Sequence, residues 1–194
     1  MTLPDPNPAA LAFMKSRRSR PAKILTTPVP SREEIEELLT VAARTPDHGK
    51  LEPWRFIVFE KAALTRLSET IAPKGQTLGI EEEKIGKSVV QLADADLAIA
   101  VISSPKPSEK IPEVEQVLSA GAVTMQLLSA ALAAGWGANW LSGWFSHDKE
   151  WREEHLGLEA HESIVGFVHI GTERMAPPER PRPDLSAITS WVSE

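Results

Sequence analysis

The feature that most constrains this chain is a long segment without charge. Residues 116–146 contain no formally charged side chain and are rich in Ala, Ser and Gly. The pattern predicts a helix over about residues 112–134 that ends at Gly135. Gly135 and Gly137 interrupt the segment before a full bilayer span is complete. We therefore interpret it as a buried helix of a soluble, cytoplasmic protein with no membrane partner.

The predicted helix has an unusual apolar surface. From Val117 onward it is apolar on nearly every face, so other protein surface must cover it all round. A single domain of 194 residues has little material for this, whereas a subunit interface supplies it readily. The helix therefore favours a subunit interface.

Composition sets the class of protein. The chain has 42% hydrophobic and 25% charged residues, the profile of a folded domain. Its net charge of −6 argues against broad binding to nucleic acid or to anionic membranes. Cysteine is absent, which excludes disulfides, thiolate catalysis and zinc–thiolate sites. Residues 1–10 are Pro-rich and polar and do not resemble a secretory signal.

Hydrophobic periodicity predicts the other elements. Strands are expected at residues 54–59, 97–102, 139–141 and 164–171, with the second and the last in the sheet interior. Helices are expected at 9–16, 31–44, 61–71, 80–92 and 148–155, and a loop follows residue 71. Ser31 and Glu34 form a capping box. We interpret residues 1–194 as one α+β domain, with helices on both faces of a small sheet and a tail that extends away from it.

Several catalytic patterns do not occur in the sequence. The histidines lack the i,i+4 spacing of a helical metal site, and there is neither an HExxH motif nor a G-x-S-x-G elbow. Gly135-Trp136-Gly137 follows a helix instead of a strand, which argues against a dinucleotide fingerprint. We therefore expect no metal site and no catalytic nucleophile.

Two pairs of arginines could each bind an anion. Arg17 and Arg18 stand beside Ser19 at the end of the first predicted helix, an arrangement that suits a phosphate monoester. Arg180 and Arg182 lie in a Pro-stiffened segment, where alternate side chains of an extended chain point the same way. A solvated basic surface is the alternative for both pairs.

A polar loop and a set of tryptophans are the other candidates. Residues 44–48 (Arg-Thr-Pro-Asp-His) and then residues 52–54 (Glu-Pro-Trp) lead into the first core strand, a position where loops often hold ligands. Trp136, Trp140 and Trp144 are spaced through a glycine-containing segment. They could form core, or they could line a pocket for a flat aromatic ligand.

Taken in this order, these features resemble the nitroreductase family of FMN flavoproteins, and most closely its compact NAD(P)H nitroreductase branch. The resemblance covers residues 17–191. It rests on five segments, which are residues 17–19, residues 44–48 together with 53–56, residues 119–122, residues 135–137 and residues 164–171. It implies a three-layer α/β/α sandwich with a small mixed, mainly antiparallel sheet and an extended C-terminal tail. It also implies a homodimer with two FMN sites at the interface, each built from both subunits.

The resemblance assigns roles to individual residues. It implies that the FMN phosphate and ribityl end bind to Arg17, Arg18 and Ser19, with Arg44 and His48 nearby, and that the basic pair Arg180 and Arg182 also contacts the phosphate. It implies that Trp140, Leu141 and Ser142 lie against the isoalloxazine ring. A segment associated with the nicotinamide nucleotide corresponds to Ala130, Ala131, Leu132, Ala133, Ala134 and Gly135.

Three positions depart from the family pattern near the flavin. Pro21 stands where many relatives have a basic residue, Glu52 where they commonly have Gln, and Leu141 where some compact members have Arg. With Glu52 close to the ring edge, its carboxylate is expected to tune the flavin; the alternative is a Glu52 that points to solvent. These differences bear on the redox potential and on substrate choice more than on the identity of the cofactor.

The sequence therefore suggests an FMN-dependent oxidoreductase. The expected reaction passes hydride from NADH or NADPH through flavin to a nitroaromatic, a quinone or a similar electron-poor acceptor. No side chain need act as an acid, base or nucleophile, because the cofactor carries the chemistry. An FMN-binding or carrier protein without turnover is one alternative, and a cofactor-free structural dimer is another.

Overall fold

The computed structural model describes residues 5–194. Residues 1–4 lie outside the described residues. They belong to the predicted domain (residues 1–194) and to the segment (residues 1–10) that was predicted not to be a secretory signal. Seven α-helices and five strands are present in the described part. The helices are α1 (Pro8–Ser16), α2 (Arg32–Ala42), α3 (Lys61–Thr77), α4 (Glu82–Ala93), α5 (Glu113–Ala133), α6 (Lys149–Leu156) and α7 (Leu185–Ile188). The strands are β1 (Leu25–Thr26), β2 (Trp54–Glu60), β3 (Leu97–Ser103), β4 (Gly137–Leu141) and β5 (Ser163–Glu173).

The sheet is built around β5. This strand pairs with β3, with β4 and, near its end, with the short β1, and β2 pairs with β3 on the outside. Every pairing among the described strands is antiparallel, which is more uniform than the mixed, mainly antiparallel sheet that was expected. All of β3 is buried, as expected for an interior strand.

Helices cover both faces of the sheet. The alternation along β3 divides it between two cores: Leu97 and Val101 pack with α2 and α5, whereas Ala98 and Ile102 pack with α3, α4 and α6. The expected α+β class and three-layer α/β/α order are confirmed by this arrangement. The predicted capping box is also present, since Ser31 Oγ accepts from the Glu34 amide at 3.3 Å and the Glu34 carboxylate accepts from the Ser31 amide at 2.8 Å.

The end of α3 differs from the prediction. A loop was expected after residue 71, but the helix continues to Thr77 with Pro73 inside it. Gly75 gives the physical reason, because it lies directly against Ile85 of α4 and near Trp144. A side chain here would collide with Ile85, so the close packing of the two helices holds a turn that Pro and Gly disfavour locally.

The long apolar helix is only half covered within one chain. By length and composition α5 could cross a membrane, but half of its apolar window is buried inside the domain, as in a core helix of a globular protein. It ends as predicted, with Gly135 at a φ of +88°. Its opposite side exposes Val114 (62%), Val117 (46%) and Leu118 (67%).

Helix α1 and the C-terminal tail also lie on the surface. No residue of α1 is buried. The tail that follows β5 is exposed as well, including Leu185, Ile188, Trp191 and Val192. Within residues 5–194, apolar groups on α1, α5 and the tail are therefore left without cover.

Candidate functional site

Four arginines from the two ends of the chain meet in one cleft. Arg17, Arg18, Arg180 and Arg182 line it together with Ser19. Its volume is about 420 Å³, and Pro21, Asn139 and Leu141 complete the lining. The two basic pairs that the sequence singled out separately are thus parts of one feature.

Backbone hydrogen bonds set the position of the first pair. The Arg17 amide donates to Phe13 O at 2.7 Å and closes α1, and the Arg20 amide donates to Ala138 O of β4 at 2.8 Å. Arg20 also pairs with Glu173 at the end of β5, at 2.9 Å. The segment between α1 and β1 is therefore fastened along the end of β4, with its arginines facing the returning tail.

The cleft holds more positive charge than the protein neutralises. Arg17 Nε and Arg18 Nη1 are buried and have no hydrogen-bond partner among the described residues. Burial, followed by the charge of Arg182, lowers the pKa of Arg17. An arginine keeps its proton at ordinary pH, so guanidinium nitrogens of this kind are suited to binding an anion.

One carboxylate lies beside the second pair. Glu179 Oε1 accepts from Arg182 Nη2 at 2.7 Å and from the Arg180 amide at 2.9 Å. The backbone hydrogen bond from Arg180, then the charges of Arg182 and Arg18, hold the pKa of Glu179 below its ordinary value. Glu179 was not identified from the sequence, although its i,i+3 spacing to Arg182 was visible there.

The tryptophans belong to the core. Asn139 and Leu141 face the cleft, so strand alternation turns Trp140 between them to the other side, where its Nε1 donates to Val165 O at 3.3 Å. Trp136 packs on the same α2–α5 core, and Trp144 packs edge-on against Phe145. Of the two alternatives for these side chains, the structure favours core. Ser142 follows at the exposed end of β4.

A second set of candidate residues lies away from this cleft. Arg44, His48 and Glu52 are exposed, and none of them lines the arginine cleft in the described chain. Their loop rests on the first turns of α5, where His48 Nδ1 is 2.7 Å from Glu115 Oε2. One chain therefore does not bring the two sets of predicted site residues together.

The loop that carries this second set is tightly held. Trp54 Nε1 donates to Ser119 Oγ at 3.1 Å, and Ser119 Oγ donates to Pro46 O at 2.9 Å. Within the loop Gly49, Lys50 and Glu52 have φ values of +77°, +54° and +49°. Left-handed conformations in non-glycine residues cost energy and tend to cluster at functional sites.

An ion pair between a half-exposed arginine and a buried carboxylate fastens β2 directly behind this loop. Arg55 donates to both carboxylate oxygens of Glu162, at 2.7 and 2.6 Å, and Glu162 is only 3% exposed. The hydrogen bond from Arg55 lowers the pKa of Glu162 to about 2. The pair was missed from the sequence because 107 positions separate the two residues.

The segment associated with the nicotinamide nucleotide lies at the end of α5. Ala130 and Ala131 are buried in the core, Leu132 is half-buried, and Ala133, Ala134 and Gly135 are exposed. Only the last three can offer their surface to a ligand. Within residues 5–194 there is no group of three or more His, Asp and Glu side chains that could hold a metal ion.

Comparisons with known proteins agree with one another. The model of the nitroreductase family matches residues 14–172. The chain is 32% identical over 166 residues to an Escherichia coli K12 protein named "Putative NAD(P)H nitroreductase YdjA", covering 86% of this chain and 89% of that one.

Solved structures share the fold. A nitroreductase-like family protein from Bacillus cereus superposes with a TM-score of 0.76 at 21% identity, covering 98% of this chain and 99% of that one. An FMN-dependent nitroreductase from Clostridium difficile R20291 gives a TM-score of 0.67 at 20% identity, covering 93% and 98%.

Proposed function

The chain belongs to the nitroreductase family, and we propose that it is an oxidoreductase that binds FMN and uses NADH or NADPH. The observation that carries this proposal is the arginine cleft. Four guanidinium groups converge there, and two of their nitrogens are buried without a partner in the described chain. A phosphate monoester supplies the charge and the acceptor oxygens that these donors lack.

The residues present fit FMN. Arg17, Arg18, Arg180 and Arg182 would hold its phosphate, and the Ser19 hydroxyl would bind the phosphate or the adjoining ribityl chain. Leu141 and Ser142, at the end of β4, would lie against the ring system. Trp140 would support this wall from behind, because its indole faces the core.

The remaining candidates suggest a site shared between two subunits. Arg44, His48 and Glu52 lie outside the arginine cleft of their own chain, so in this proposal they reach the cofactor of a partner subunit. The uncovered apolar stripe of α5 provides a surface for such a homodimer. The proposal includes a cytoplasmic location, with α5 as a core and interface helix.

The division of work between cofactor and protein is simple. FMN, when bound, supplies the hydride chemistry that connects a nicotinamide nucleotide with a nitroaromatic, quinone or similar acceptor. The arginines neutralise the phosphate, the end of β4 provides an apolar wall, and the loop over residues 44–52 offers polar groups. Ala133, Ala134 and Gly135 are the exposed positions at which the nicotinamide nucleotide would make contact. No side chain is required as an acid, base or nucleophile.

An anaerobic titration tests the activity. The purified full chain should be yellow, NADH or NADPH should bleach the flavin absorbance, and a nitroaromatic or quinone should restore it. A yellow protein that neither nucleotide bleaches would instead be an FMN carrier. A colourless protein that takes up no FMN would contradict the proposal.

A charge on the exposed stripe tests the homodimer. Leu118 is 67% exposed on α5 and Val90 is 53% exposed on α4, so Leu118→Lys and Val90→Lys form a matched pair. By sedimentation, Leu118→Lys should shift the protein toward monomer and lower its FMN content, while Val90→Lys should remain dimeric. A stable FMN-loaded monomer of the unmodified chain at micromolar concentration would contradict the shared site.

A further inference from the structure

Glu179 lies beside the arginine cleft, in contact with two residues that line it. Its carboxylate already accepts hydrogen bonds from the Arg182 guanidinium and from the Arg180 amide, at 2.7 and 2.9 Å. Both arginines line the cleft with Arg17 and Arg18. The chain thus places one of its own anions on donors that an incoming phosphate would use.

The charge count shows why this carboxylate cannot complete the site. The Glu179 carboxylate bonds only one of the four guanidinium groups, that of Arg182, and one nitrogen each of Arg17 and Arg18 stays unpartnered within residues 5–194. The contact is also easily broken, because the Arg182 and Glu179 side chains are 54% and 64% exposed. Exposed ion pairs of this kind are weak.

We propose that Glu179 is an internal counter-ion that competes with the phosphate of FMN for Arg182. In the free protein it partly neutralises the second arginine pair, within the tail. When FMN binds, its phosphate displaces the carboxylate, and Glu179 turns toward solvent. The inference rests on the proposed FMN site and adds to it a residue that sets how tightly the phosphate is retained.

A positioning role for Glu179 makes the opposite prediction. If the carboxylate served to hold Arg182 in the orientation that phosphate needs, its removal would weaken FMN binding. If it competes, its removal leaves Arg182 free and strengthens binding. The sign of the change therefore separates the two roles.

The test compares two variants of equal net charge. Glu179→Gln removes the carboxylate that contacts Arg182. Glu109→Gln removes an exposed carboxylate from the loop between β3 and α5, none of whose residues lines the cleft. The full chain, freed of any copurified flavin, is titrated with FMN and with riboflavin, which lacks the phosphate. Binding is followed by quenching of flavin fluorescence.

We expect Glu179→Gln to bind FMN about two- to fivefold more tightly than the unmodified chain, as expected for the loss of one exposed ion pair. Riboflavin affinity should not change, and Glu109→Gln should behave like the unmodified chain with both ligands. Equal or weaker FMN binding by Glu179→Gln would overturn the inference, and so would an equal gain for riboflavin. If the unmodified chain binds neither flavin, the proposed FMN function itself fails, which is a distinguishable result.

Discussion

Two arrangements of arginine in this molecule differ in how their charge is satisfied. Arg55 gives two hydrogen bonds to a single buried carboxylate, that of Glu162, so this pair is complete. In the cleft one exposed carboxylate bonds the Arg182 guanidinium, and buried nitrogens of Arg17 and Arg18 have no partner in the described chain. The first arrangement stabilises the fold behind the loop over residues 44–52. The second leaves positive charge that the described residues do not neutralise.

His169 is a second kind of buried, unpartnered residue to set beside the arginines of the cleft. It is 2% exposed on β5, and neither ring nitrogen has a partner among residues 5–194. Burial lowers its pKa to about 4, so the imidazole stays neutral at ordinary pH. Arginine has no such option, because its guanidinium keeps its proton. The two residues therefore differ in their response to burial: His169 loses its charge, whereas Arg17 keeps its charge, for which the proposed FMN phosphate would supply the counter-ion.

The largest expected effect on stability comes from removing one partner of the Arg55–Glu162 ion pair. Arg55→Met removes the charged partner of the buried Glu162 carboxylate, which keeps the hydrogen bond from the Glu159 amide at 3.1 Å. It should lower the free energy of unfolding by about 3 kcal/mol. Glu162→Gln should cost less, about 1–3 kcal/mol, because the Arg55 side chain is 41% exposed and water can solvate it. Urea unfolding at pH 7 measures both values.

The pH dependence of these variants provides the control. In the unmodified chain the contribution of Glu162 is complete above its ordinary pKa of 4.5 and is lost as the pH falls toward 2. In Arg55→Met the unpaired carboxyl should instead gain from protonation, so the variant's deficit should shrink as the pH falls. A deficit that is equal for both variants and constant with pH would show that the pair does not act as described.

The next effect concerns His169. The unfolded chain takes up a proton on this residue below about pH 6.5, whereas the folded chain does so only near pH 4. Stability should therefore fall as the pH drops through this window, by at most about 3 kcal/mol. His169→Leu should flatten the loss between pH 7 and 5 in urea unfolding, and the exposed His161→Leu should not. Identical pH profiles in the two variants would mean that His169 is not the group responsible.

The smallest expected effect is a change in flavin potential from a substitution at Glu52, in the loop over residues 44–52. In the proposed dimer Glu52 would lie near the ring edge of the partner's flavin, where its charge would oppose the negative charge that reduction adds. Because Glu52 is exposed and screened, Glu52→Gln should raise the flavin midpoint potential by only about 10–30 mV, equivalent to roughly 0.5–1.4 kcal/mol. A redox titration measures this shift, and FMN occupancy should stay unchanged. An unchanged or lower potential would place the carboxylate away from the flavin.

The sequence predicted most of the framework because its signals are local. The capping box at Ser31, the continuous apolar run of β3 and the stop at Gly135 each depend on a few adjacent residues. The extension of α3 to Thr77 could not be predicted, because it depends on contact between Gly75 and Ile85 of another helix. The turning of Trp140 toward the core follows from strand alternation and could have been read from the predicted strand at residues 139–141.

The candidate site also depends on contacts between residues that are distant in sequence. Each arginine pair was visible as a possible anion site, but nothing local indicates that Arg17 and Arg182 share one cleft, since that requires the tail to fold back along the end of β4. The resemblance to a known family assigned both arginine pairs to the FMN phosphate. The structure places the two pairs in one cleft, and their contact with FMN stays a prediction. The Arg55–Glu162 pair had no local signal and no counterpart in that resemblance.

The most direct measurement of the central claim is the ratio of FMN to riboflavin affinity in Arg18→Ala. A charge-assisted contact to phosphate contributes roughly 1.5–3 kcal/mol, so this variant should bind FMN about one to two decades more weakly while its riboflavin affinity and its unfolding free energy remain nearly level. Equal losses for both flavins would contradict the account, because the excess charge of the cleft would then have no part in holding the phosphate.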